Sequence, residues 1–110
     1  MNIEFDKDGQ IVDIDDQLIN AAEDGDLIAV KYLVSKGADI HAENDWASRL
    51  AAENEHLTVV KYLVSEGANI HTWNDYALRY AAENGHLPVV KYLEICTLNF
   101  SIKKEYHEYR

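Results

Sequence analysis

"AAENEHLTVVKYLVSEGANIH", Ala51–His71, decides the fold, because the chain writes it nearly three times. Ala21–His41 reads "AAEDGDLIAVKYLVSKGADIH", and Ala81–Leu93 reads "AAENGHLPVVKYL", each displaced by 30 residues. Between 51–63 and 81–93, 11 of 13 residues are identical; between 21–42 and 51–72, 14 of 22 are. Self-similarity at a fixed period marks an array of like units, and it outranks every other signal in so short a chain.

Each unit reads as two short helices. The first covers Trp46–Asn54 and, one period on, Tyr76–Asn84. Asn44-Asp45 and Asn74-Asp75 precede them and are expected to supply N-cap oxygens. The Ala pairs at 21–22, 51–52 and 81–82 favour helix and let its axis approach a neighbour closely. The second helix covers Leu57–Ser65, with Leu57, Val60, Leu63 and Val64 forming one apolar stripe. Gly37 and Gly67 stand where a helix-ending left-handed residue belongs. Such a unit cannot bury its own apolar face, so stacked copies bury it for one another. The fold class is an all-α solenoid of three helix-turn-helix units. It divides as a flanking segment 1–12, units 13–42, 43–72 and 73–102, and a tail 103–110.

The pattern "AAENGHLxVVKYLVSxGANI", carried at Ala21–Ile40, Ala51–Ile70 and Ala81–Leu93, resembles the ankyrin repeat. The resemblance covers Asp16 to Leu93. The wording of Asn74–Leu93 is most similar to ankyrin-repeat proteins encoded by giant DNA viruses of amoebae. The chain departs from the family in two ways. The usual period is about 33 residues, and the residues missing here fall in the extended turn before each first helix. The β-hairpin turns are therefore expected to be short. The family's T-P-L-H start is also replaced, by Trp46-Ala47-Ser48-Arg49 and Tyr76-Ala77-Leu78-Arg79. Arg49 with Glu53, and Arg79 with Glu83, are expected to pair at i,i+4 in its place.

Composition limits the partners. The net charge is −10. That balance disfavours nucleic acid, whose binding draws on Lys and Arg, and anionic membrane surfaces. Cys96 is the one cysteine, so no internal disulfide and no cysteine cluster for zinc is available. The acidic N-terminus lacks the apolar run of a signal peptide. An intracellular, cytoplasmic monomer is expected, in the host cell if the protein is viral.

No constellation of catalysis appears: there is no P-loop, GxGxxG, G-x-S-x-G or HExxH. No cofactor and no metal is expected. The paired histidines His41/His71 and His56/His86 read as turn residues on successive rungs. Glu4–Asp15 matches a calcium loop only loosely. Alternation about Asp8-Gly9 reads better as a hairpin, either a lid over the first unit or a loose end. Tyr32, Tyr62 and Tyr92 belong to packing between units. Thr97 stands where the first two units have glycine, so the third should end in a longer second helix. The segment after Leu93 reads either as a cap or as a frame cut short.

The resemblance implies a non-catalytic module that binds a partner protein through its turns and the exposed face of the first helices. The units differ from one another at those same positions. The expected protein-binding residues are Trp46, Trp73, Tyr76, Glu43, Asp45 and Ser48. Aromatic residues with a polar tip are common interface anchors; against that, Trp46 and Tyr76 would also cover the stem of a turn. A partnerless remnant of a larger array is the alternative.

Overall fold

The computed structural model describes the backbone of residues 4–5 and 11–108 and the side chains of residues 13–98. Two short strands, β1 (Glu4–Phe5) and β2 (Ile11–Val12), pair antiparallel with Glu4 opposite Val12. This is the hairpin that alternation about Asp8-Gly9 predicts. The calcium-loop positions and a lid over the first unit fall mainly on residues outside the described set.

Six helices follow among the described residues: α1 (Ile14–Asp24), α2 (Leu27–Ser35), α3 (Ala42–Glu53), α4 (Leu57–Ser65), α5 (Thr72–Glu83) and α6 (Leu87–Glu108). They form three units, α1–α2, α3–α4 and α5–α6. The first helices stack in a row, α1 on α3 and α3 on α5, with the second helices forming the outer layer. The alanines make this row possible. Ala22, Ala51, Ala52 and Ala81 are fully buried, because the helix axes approach where side chains are smallest. The second layer contributes Val30, Val59, Val60, Leu63, Val89 and Leu93 to the same core. Each such burial is worth about 1.5–3 kcal/mol.

The glycines end the second helices as their placement requires. The Ala38 and Gly37 amides donate to Leu33 and Val34 carbonyls, both at 3.0 Å, and Ala68 and Gly67 repeat the pattern at 2.9 and 3.0 Å. This double bond set needs a left-handed residue, and Gly37 and Gly67 have φ of 97° and 99°. Thr97 takes no such conformation: α6 runs on to Glu108, and the Thr97 hydroxyl donates to the Leu93 carbonyl at 3.0 Å.

Between units the connection is as short as the 30-residue spacing demands. Among the described residues no strand forms in it, so the expected β-hairpin is corrected to a plain turn: too few residues separate Gly37 or Gly67 from the next helix for two strands to pair. The chain leaves Gly37 or Gly67, makes a two-residue turn and enters the next first helix through three residues of left-handed conformation.

Candidate functional site

The three left-handed residues are Glu43, Asn44 and Asp45 in one connection, with φ of 55°, 58° and 59°. Trp73, Asn74 and Asp75 repeat them in the next, with φ of 55°, 59° and 59°. None is glycine. The conformation costs roughly 1–2 kcal/mol at Glu43 or Trp73 and less at the Asn and Asp that follow, whose short polar side chains tolerate it, so each turn stores about 2–4 kcal/mol of unfavourable backbone energy. Something must hold it.

Arginine holds it. Arg49 donates from Nη2 to the Glu43 carbonyl at 2.9 Å and from Nε to the Asn44 carbonyl at 3.2 Å. Arg79 does the same for Trp73 and Asn74, at 3.1 and 2.8 Å. Bonds from a charged donor are worth about 1.5–3 kcal/mol each, enough to offset most of the strain. The expected pairing of these arginines with Glu53 and Glu83 is therefore corrected. Carbonyls turned inward by a left-handed backbone are the nearer acceptors.

The N-cap expectation is corrected in the same way. The Asp45 carboxylate accepts from the Asn69 amide at 3.1 Å and from His41 Nδ1 at 2.8 Å. Residue 45 is left-handed, so its side chain points away from the helix amides and pins the following connection instead. Asp15 does the same for the Asp39 amide at 2.7 Å.

The first residue of each left-handed turn faces solvent. Around it lies an open groove of about 290 Å³, lined by Glu43, Asn44, Trp46, Arg49, Trp73 and Tyr76. Its floor is the Arg49 guanidinium, 4.4 Å from the Trp73 ring centroid and 4.9 Å from that of Tyr76. Trp73 meets Tyr76 edge to face at 6.4 Å, and Tyr76 stacks on Tyr80 at 4.1 Å. The Tyr76 hydroxyl donates to Glu53 Oε2 at 3.1 Å. Burial raises the Tyr76 pKa above the usual tyrosine range. The hydrogen bond to Glu53 raises it further, and Arg49 partly opposes both. The rings are thus fixed by their neighbours, yet Trp73 remains 59% exposed and Trp46 40%.

Of the six residues named from the sequence, Glu43, Trp46, Trp73 and Tyr76 line this one groove. Asp45 and Ser48 do not reach it. Both are buried, and the Ser48 hydroxyl donates to the Asp45 carbonyl at 2.9 Å. They hold the turn that presents the others. Sequence reasoning missed Arg49 and Asn44 as lining residues. The one available signal was the arginine recurring at 49 and 79, ahead of each Ala pair.

Elsewhere the side chains serve packing. Lys31 lies over the Tyr62 ring and Lys61 over Tyr92, each at 5.6 Å. The histidines hold turns: His41 bonds Asp45, His71 bonds Asp75, and His56 Nε2 donates to the Glu23 carbonyl at 2.9 Å. Among the described residues no three metal-ligating side chains gather. No helix among them is long and apolar enough to cross a membrane.

No curated protein matches the chain. The family profile for ankyrin repeats (3 copies) matches residues 18–104. That span takes in all three helix pairs and the stacking just described, and the chain belongs to the ankyrin-repeat family.

Proposed function

We propose that the chain is a non-catalytic binding module that captures a partner protein through the groove between its second and third units. Ankyrin repeats are generally protein-interaction modules and typically non-catalytic. The observation that carries the proposal is the Arg49 floor. It fixes Trp73 and Tyr76 in place and leaves the Trp73 face open to solvent. Rigid, half-exposed aromatics lose little entropy on binding and make strong anchors. Glu43, Trp46, Trp73 and Tyr76 make the contacts; Asp45 and Ser48 position them.

The charge of −10 favours a partner with a basic rim around an apolar centre. The chain acts as a cytoplasmic monomer in this reading. The wording of Asn74–Leu93 supports a viral origin, which would make the partner a host protein.

The test compares what wild type, Trp73→Ala and Lys61→Ala capture from a cell lysate. Lys61 lies on the opposite, helix-two side. The proposal requires a protein held by wild type and Lys61→Ala and lost at least tenfold by Trp73→Ala. Equal capture by Trp73→Ala, with its fold intact by circular dichroism, moves the binding site elsewhere; capture of nothing by any of the three proteins favours a partnerless remnant.

A further inference from the structure

Each unit has one face toward the unit before it and one toward the unit after it, and the contacts assign residues to each. Looking forward are Arg49, Glu53, Gly25 and Lys61. They meet Trp73 with Tyr76, the Tyr76 hydroxyl, the His56 ring and Tyr92, in that order. Looking back, besides those partners, is Asn84, whose amide donates to the Glu53 carbonyl at 3.2 Å.

The 30-residue spacing carries these positions to the two ends, and the ends differ. The first unit has Asp13, Asp16, Asp24 and Asp26 where later units place Trp73, Tyr76, Asn84 and His56 or His86. All four are exposed. The third unit keeps the stacking residues: Arg79, Glu83, Gly85 and Lys91 match Arg49, Glu53, Gly25 and Lys61 in type. Arg79 is clamped to two carbonyls just as Arg49 is, but it is exposed where Arg49 is 4% exposed. Ala82 is exposed where Ala22 and Ala52 are fully buried. A Cβ on Gly85 would meet nothing within 4 Å, while one on Gly25 would strike the His56 ring. The same side of α6 continues with Ile95 and Leu98, 54% and 59% exposed, beside Lys91 in a groove of about 230 Å³.

We infer that this C-terminal face is a second docking surface, and that its partner is an ankyrin-type helix pair of another chain. That pair bears aromatic and imidazole side chains at the positions of Trp73, Tyr76 and His56. The two interfaces within the chain show the occupant: between the second and third units Arg49, Glu53 and Lys61 are covered by Trp73, Tyr76 and Tyr92, and between the first and second units the space at Gly25 is filled by His56. A second copy of this chain fits less well. Carried across by the same spacing, its Asp13 and Asp16 would reach Arg79, but Asp16 would also meet the Glu83 carboxylate and Asp24 the Glu83 carbonyl, and it has no ring to cover Arg79 or to fill the space at Gly85. The inference stands apart from the Trp73 groove and does not depend on it.

The probe is this chain carrying Asp13→Trp, Asp16→Tyr, Asp24→Asn and Asp26→His. It also carries Arg79→Glu and Lys91→Glu, so that it cannot stack on itself. In sedimentation velocity, wild type and probe should form a one-to-one complex at least tenfold tighter than any wild-type self-association. The complex should vanish when wild type carries Arg79→Glu and Lys91→Glu. A folded probe that leaves wild type monomeric overturns the inference, as does wild-type self-association of equal strength. If the full probe does not fold, one with only Asp16→Tyr, Asp26→His and Arg79→Glu is judged by the same outcomes.

Discussion

His56 occupies the space that Gly25 leaves open. A Cβ built on Gly25 would stand 2.4 Å from His56 Nδ1, and the ring's other nitrogen donates to the Glu23 carbonyl. The next unit solves the same problem differently. Glu55 stands at the glycine position, so His86 cannot take that seat; its Nδ1 lies 3.3 Å from the Glu55 carboxylate, and Asn84 takes the Glu53 carbonyl instead. Gly25→Ala should therefore destabilise the domain by roughly 2–4 kcal/mol, from a φ of 73° and a displaced ring together. In a His56→Ala background the same change should cost only about 1 kcal/mol. Urea melts of the four proteins measure the coupling, and additivity of the two changes would disprove the seating.

Glu55 has a φ of 65°, the left-handed conformation that Gly25 and Gly85 adopt in the other units. Glu55→Gly should relieve about 1 kcal/mol of strain. The lost contact with His86 is exposed on the Glu55 side and worth at most about 1 kcal/mol, and glycine also loosens the unfolded chain. These offset most of the gain, so the expected outcome is a thermal midpoint raised by about a degree. A fall would mean that the Glu55–His86 contact outweighs the strain.

Arg49 and Arg79 make the same two bonds, but only Arg49 is covered by the next unit. Arg49→Ala releases a strained turn and leaves two partly buried carbonyls unpaired, so a loss of about 3–5 kcal/mol is expected. Arg79→Ala should cost about 1–2 kcal/mol, because water replaces its bonds. Denaturant midpoints at constant slope check the order. Equal effects would show that cover by Trp73 and Tyr76 adds nothing.

Trp73→Ala uncovers the Arg49 guanidinium without opening the core. Its cost should be near 1 kcal/mol, about the worth of a partly exposed cation–π contact, and the thermal midpoint should fall by only a few degrees. A collapse of the fold on this substitution would make Trp73 a structural residue rather than an anchor.

Burial pushes the Tyr92 hydroxyl up to about 12, and its hydrogen bond and charge interaction with the Cys96 thiol act in the same direction. The unfolded chain titrates this group near 10. Between those values the folded state holds a proton that the unfolded state has lost. Stability from this group is therefore complete below about pH 10 and declines as pH rises toward 12. Absorbance titration should show one tyrosine ionising last, and Cys96→Ala should bring it back toward the others. A single common tyrosine transition would contradict this.

The period of the sequence settled the architecture, because stacking depends on residues that recur at fixed spacing. Leu57–Ser65 was legible as a helix from its own stripe, Gly37 and Gly67 as helix ends, and the long α6 from Thr97, since each rests on local backbone chemistry. Trp46, Trp73, Tyr76 and Glu43 could be picked out because the units differ at those positions. The left-handed turns could not be read in this way. Glu43, Asn44 and Asp45 carry no glycine to announce positive φ. Their conformation is held by Arg49 and by the bond that Asp45 accepts from Asn69, 24 residues away. The burial of Asp45 and Ser48 has the same origin. Only the neighbouring connection and unit, folded against them, decide that these two polar side chains face inward while Trp73, one period after Glu43, faces out.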